Sequence, residues 1–262
     1  MSQYPPGYEP YGTIGAPPQE QARQVRVSLP QIRPGVTYAL IGVTVAVYAL
    51  QLLSQALFGG NDWLFFYGGK INEFILQGEL WRLITPIFLH ATIFHIGFNM
   101  YALFVFGAEL ERAYGHWRYL VLYLLGGFAG NVLSFVLTPS PSLGASTAIF
   151  GLVSAEAVFV YQNRNLFGKR ARPVLLNLLL VVVINLALGL TPGSLIDNFG
   201  HLGGLIGGAT FAWFAGPKWS LEGIYPSVKV VDQRSPSQVQ LGAILVLLVF
   251  GGLTLARFIL IK

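Results

Sequence analysis

The sequence contains no cysteine. Disulfide staples, thiolate metal sites and cysteine nucleophiles are therefore excluded. Charge is also scarce: Asp, Glu, Lys and Arg make up 10% of the 262 residues, where a soluble domain usually carries about 25%. So few charges cannot clothe a water-facing surface, and 54% hydrophobic residues place the chain in the membrane class. Histidine is rare, four in all. His90 and His95 have no carboxylate beside them in sequence to complete a zinc site, so neither a metal nor a cofactor is expected. The net charge of +5 could signal nucleic acid in a soluble protein. Here the cations sit in short loops between apolar runs, so they report orientation in a bilayer and no nucleic-acid partner.

A helix needs about 20 apolar residues to cross the hydrocarbon core. Runs of this kind occupy 36–58, 92–111, 118–137, 146–163, 173–190, 198–216 and 239–259. The expected fold is all-α: a polytopic membrane helix bundle with a six-helix core over 36–217, a linker over 218–238 and a seventh transmembrane helix within 239–262. Residues 1–35, rich in Pro, Gly, Gln and Tyr, read as a disordered tail. The stretch 59–91 is mixed, with Asp62, Lys70, Glu73, Glu79 and Arg82. Seven crossings put the two ends on opposite sides. With the N-terminus in the cytoplasm, twelve Lys and Arg residues fall inside and four fall at or near the outer face, the bias expected of a multi-pass protein of the cell membrane.

Polar residues inside such spans are costly and mark function by default. Ser146 opens the fourth span. Alone it reads as a helix N-cap. His201 lies one turn into the sixth, where a lone histidine reads as a helix–helix contact. His95 and Asn99 are four residues apart in the second, on one helix face. The second, fourth and sixth spans all run from outside to inside in this topology, so all four residues fall at one depth near the outer face. Together they supply a nucleophile, a base and oxyanion donors, the parts needed for acyl transfer. Gly204 and Gly208 form a small-xxx-small pair that lets the fourth and sixth spans approach closely. Gly144 and Phe150 are expected to line the same cleft, with the Phe150 ring one turn below Ser146 and against the His201 imidazole.

These residues resemble those of the rhomboid family of intramembrane serine proteases over about 75–217. The matching pieces are Trp81-Arg82, His95-x3-Asn99, Gly107-x3-Glu111-x3-Gly115, Gly144-x-Ser146 and His201-x2-Gly204-x3-Gly208. The resemblance implies a Ser146–His201 dyad without a third acidic member, and oxyanion stabilisation by His95 and Asn99. It also implies structural roles for Trp81, Arg82 and Glu111, and single-span membrane proteins as substrates. The seventh span is similar to the C-terminal addition of six-plus-one members. One position departs from the family pattern: Thr147 stands where glycine usually follows the nucleophile, and its β-branch is expected to narrow the oxyanion pocket. Two other readings predict different chemistry. A non-catalytic membrane chaperone would bind substrates without cutting them. A transporter would place polar groups at several depths and show an internal repeat.

Overall fold

The computed structural model describes residues 32–224 and 227–260, so the tail expected over 1–35 lies almost wholly outside the described residues. The chain begins with α1 (Gly35–Leu57), α2 (Trp63–Gly68) and α3 (Asn72–Leu76). After two 3₁₀ turns come α4 (Ile93–Ala102), a π-helical turn (Leu103–Gly107) and α5 (Ala108–Tyr114), which form one rod. Next are α6 (His116–Leu137), α7 (Ser146–Gln162), α8 (Arg164–Phe167), α9 (Ala171–Gly189) and α10 (Asn198–Ala215). A hairpin of β1 (Trp219–Glu222) and β2 (Lys229–Asp232) precedes α11 (Pro236–Leu260).

The molecule is a polytopic membrane helix bundle. Five rods are long and apolar enough to cross a membrane: Gly35–Leu57, Ile93–Tyr114, His116–Leu137, Arg164–Gly189 and Pro236–Leu260. The other two expected crossings are less apolar or shorter. α7 has 17 residues, and α10, with Asn198, His201 and its glycines, falls outside the five. Their surroundings explain why. α10 packs among α6, α7 and α11, and α7 among α6, α9 and α10. A helix walled by protein meets little lipid, so it tolerates polar and small residues that an outer helix could not. α9 and α11 carry the lipid-type surface instead, with Leu176, Leu179, Leu180, Leu247, Leu248 and Val249 exposed.

Glycines set the spacing of the inner three helices. A Cβ on Gly204 of α10 would strike the Thr147 carbonyl of α7, and one on Gly203 would strike α6 at Ala129, Gly130 and Leu133. Glycine therefore permits backbone-to-backbone contact on two sides of one helix, and dispersion between close backbones replaces the missing side chains.

Polar side chains then tie the ends. The Glu111 carboxylate accepts hydrogen bonds from the N–H groups of Val36 and Thr37 and from the Thr37 hydroxyl, at 2.7–2.8 Å. It thus caps the first turn of α1 from another rod, where Pro34 offers no side-chain cap. Arg82 is buried, and its guanidinium pairs with Glu79 at 2.6 Å and donates to the Gly69 carbonyl at 2.9 Å. The Trp81 indole donates to the Tyr67 carbonyl at 3.1 Å. These bonds give the mixed stretch 59–91 a fixed path in place of regular long helices.

Two boundaries differ from expectation. The segment 218–238, expected as a linker, contains the antiparallel hairpin, with Trp219 opposite Asp232 and Glu222 opposite Lys229. The last helix starts at Pro236 and not near 239. Its start is a capping box: the Gln238 N–H donates to Ser235 Oγ at 3.3 Å, and the Ser235 N–H donates to Gln238 Oε1 at 3.0 Å. Proline at the first helical position suits that motif.

Candidate active site

Ser146 is the first residue of α7, and the position before it, Ala145, has helical backbone angles. Ser146 is therefore not an N-cap. Its hydroxyl lies 2.9 Å from Nε2 of His201, contributed by α10. The Phe150 ring, one turn along α7, stacks on the His201 imidazole with centroids 4.1 Å apart and planes 11° from parallel. Phe150 and His201 are both buried. The stack holds the imidazole plane, and the hydrogen bond to Ser146 selects its rotation about that plane.

The loop ahead of Ser146 is shaped by two contacts with the first loop. Gly144 adopts a φ of +129°, a region that side chains disfavour, and its N–H donates to the Pro86 carbonyl at 2.9 Å. A Cβ at this position would lie 2.7 Å from His95 Nε2 and 3.7 Å from Ser146 Oγ. Glycine at 144 thus lets the His95 ring approach the turn that leads into Ser146. The Ala91 N–H points at His95 Nδ1 at 3.5 Å, which leaves Nε2 to carry a proton toward the site. Asn99 is buried on the same face. Its amide donates to the His95 carbonyl at 2.9 Å, so it is turned along its own helix and not onto Ser146.

The N–H groups of Ser146, Thr147 and Ala148 precede the first intrahelical bond, which Ile149 makes to Ala145. The N-terminus of a buried helix with free N–H groups is a ready anion site. The Thr147 side chain does not stand in that pocket. It fills a notch between Gly130 of α6 and Gly200 of α10, whose Cβ positions would lie 2.5 Å and 3.0 Å from its atoms. His95 approaches by Gly144 and not by either of these glycines.

Three residues at the site carry no obvious catalytic signature in the sequence. His90 Nε2 faces the Ala145 N–H at 3.4 Å, and burial drives its pKa down to about 3, so it is a neutral acceptor holding the turn before Ser146. Asp197 is the N-cap of α10; its Oδ1 accepts the Gly200 N–H at 2.9 Å, and its Oδ2 accepts the Ser134 hydroxyl of α6. Lys70 is fully buried and donates to the carbonyls of Thr138 at 3.0 Å and Ser140 at 2.7 Å. Its backbone pairs with Ser142 in both directions at 3.0 Å. The only sequence signal among the three is the Asp197-x-x-Gly200 cap pattern; the others act through partners distant in the chain. Among the described residues, no three His, Asp or Glu side chains group closely enough to hold a metal ion.

Burial lowers the Lys70 pKa from 10.5 to about 8, against the opposing pull of Asp197 and Glu73. Between those two values the unfolded chain holds a proton that the folded chain has lost, so this group makes stability rise with pH across that window. The melting temperature of the wild type, measured relative to Lys70→Met, is expected to climb between about pH 8 and about pH 10.5. A difference that stays flat or falls would contradict the assignment of a buried ammonium at this position.

Comparison with known proteins adds to this geometry. Residues 77–218 match the family model described as Rhomboid domain. The chain is 40% identical over 194 residues to Rhomboid protease GluP of Bacillus subtilis, covering 72% of this chain and 37% of that protein. It is 36% identical over 151 residues to RHOMBOID-like protein 9, chloroplastic, of Arabidopsis thaliana, covering 58% and 35% respectively. It is also 32% identical over 202 residues to Rhomboid-like protease 3 of Toxoplasma gondii, covering 71% of this chain and 75% of that one. The chain thus spans little more than a third of the length of the first two relatives.

Proposed function

The chain belongs to the rhomboid family, and on that premise we propose that it is an intramembrane serine endopeptidase with Ser146 as nucleophile and His201 as general base. The observation that carries the proposal is the 2.9 Å approach of Ser146 Oγ to His201 Nε2, made between helices that touch backbone to backbone.

In the proposed reaction Ser146 Oγ attacks the scissile carbonyl while His201 Nε2 takes its proton. The oxyanion meets the Ser146 N–H, the positive end of α7 and the Nε2–H of His95. Asn99 joins after its amide swings off the His95 carbonyl. His201 then gives its proton to the leaving amine, and water hydrolyses the acyl-enzyme. A helical peptide bond is shielded by its own hydrogen bonds, so a substrate must unwind locally before attack. Single-span membrane proteins with small or helix-weakening residues near the cut are the proposed substrates.

The proposed setting is the cell membrane, with the N-terminus in the cytoplasm and the site toward the outer face. Arg164, Lys218 and Arg234 gather where α7 and α10 end, away from the dyad at their starts. That distribution agrees with a cytoplasmic position for the far end.

Purified chain reconstituted in vesicles is expected to cut a single-span test substrate into two fragments; an intact substrate after prolonged incubation would contradict the proposal. His95→Ala is expected to lower kcat by about 10²–10³-fold with KM nearly unchanged, because one oxyanion donor is lost. Asn99→Ala should cost less, since its amide is already engaged along its own helix. Steady-state kinetics of the two variants would test that order, and a larger loss at Asn99 would reverse it.

A further inference from the structure

His201 holds Ser146 through Nε2, so its resting proton sits on Nδ1. That nitrogen is buried and has no hydrogen-bond partner among the described residues. The base therefore lacks a direct acceptor at its back, yet it must carry positive charge as Ser146 loses its proton. A carboxylate stands nearby, four residues earlier in the chain.

Asp197 is tied to the dyad's surroundings in several ways. Its backbone carbonyl accepts the His201 N–H at 3.0 Å. Its Oδ1 accepts the Gly200 N–H at 2.9 Å, and its Oδ2 accepts the Ser134 hydroxyl from α6. A Cβ built on Gly200 would lie 2.9 Å from Asp197 Oδ2 and 3.0 Å from Thr147 Cγ2. The carboxylate therefore packs against the turn that joins it to the base, and Thr147, the residue after the nucleophile, closes on the same glycine. Behind it, Ser134 Oγ lies 3.5 Å from Ser142 Oγ, and Ser142 is paired through its backbone with buried Lys70.

We propose that Asp197 is a positioning residue for the dyad. It locks the first turn of α10, and with it His201, against the Ser146–Thr147 turn of α7. Its charge offsets the imidazolium that forms during attack, acting through space in a site of low dielectric. The assignment rests on the reading of Ser146 and His201 as a catalytic pair. The plainer reading is that Asp197 only caps α10. Asparagine caps a helix as well as aspartate does, so the neutral side chain separates the two.

For Asp197→Asn the expected result is a fall in kcat of about 10- to 100-fold with KM held within about twofold and a melting temperature matching the wild type. Ser134→Ala, which frees one carboxylate oxygen and keeps the charge, is expected to show a smaller fall in kcat. Wild-type kcat in Asp197→Asn would overturn the proposal in favour of a simple cap. So would losses of kcat that track losses of melting temperature in both variants. Reaction of the wild type with a fluorophosphonate probe separates this from the underlying reading. A Ser146 that never labels contradicts the dyad itself, and the Asp197 assignment falls with it. A Ser146 that labels equally fast in wild type and Asp197→Asn contradicts the Asp197 assignment alone.

Discussion

Ser146→Ala and His201→Ala are each expected to abolish cleavage of a single-span substrate, with a loss of at least about 10⁴-fold in kcat. Members of such a pair act as a unit, so the double variant should be scarcely worse than either single one. The ground is local. Ser146 is the first residue of α7 with no capping duty, and its hydroxyl faces the imidazole of His201 at 2.9 Å. Ser146→Ala removes a single hydroxyl, so its melting temperature should stay near the wild type; His201→Ala also loses the buried stack on Phe150 and should melt lower while still folding. Turnover by Ser146→Ala at more than a few per cent of the wild-type rate would require another nucleophile.

The second large effect concerns a residue that touches no substrate. Gly208→Val is expected to destabilise the protein by about 3 kcal/mol or more and to reduce kcat by about 10²-fold in the fraction that folds. A Cβ at 208 would lie within 2.6 Å of the Cα, carbonyl carbon and oxygen of Gly151 on α7. Backbone cannot step aside as a side chain can, so α7 and α10 would have to part. Their separation fixes the distance from Ser146 to His201. Gly42→Ala on α1 is the matched control, because a Cβ there meets nothing within 4 Å and alanine favours the helix. Equal melting temperatures for the two variants would show that α7 and α10 are not held by backbone contact.

Much of this site is legible in the sequence because each of its main members violates a local expectation. Ser146, His95, Asn99 and His201 are polar residues in apolar runs, and the packed helices set Ser146 against His201 and His95 against the Gly144 turn. Phe150 and Gly204 follow from helical spacing relative to them. The supporting residues break no such rule. Ser134 and Asp197 are 63 positions apart, and Lys70 and Ser140 are 70 apart. No periodicity links such pairs, and each alone looks like an ordinary loop or helix-end residue. His90 escaped for a similar reason, since its partner is a backbone N–H 55 residues away.

The fold shows the same division. Hydrophobic runs mark the helices to within a few residues, including the less apolar α7 and α10, whose polarity makes sense only once their neighbours shield them from lipid. The start of α11 was legible as Ser235-Pro236-Ser237-Gln238, a capping pattern that hydropathy alone passes over. The hairpin at 219–232 was not: its strands are four residues each, too short to show alternation. It is held by distant contacts, such as Arg118 to Asp232 at 2.5 Å and the Trp219 N–H to Asn163 at 2.8 Å. Thr147 points the other way. Its β-branch suggested a narrowed oxyanion pocket, yet the side chain is taken up by the notch between Gly130 and Gly200. Its effect is therefore expected in the spacing of α6, α7 and α10 and not in the pocket beside His95.

The most direct test of the central claim is covalent labelling of the purified, membrane-reconstituted chain with a fluorophosphonate, followed by mass mapping of the adduct. The account predicts a single adduct on Ser146 in the wild type and none in His201→Ala, with the folding of the variant checked by its thermal unfolding. An adduct elsewhere, or one on Ser146 that persists at the wild-type rate without His201, would contradict it.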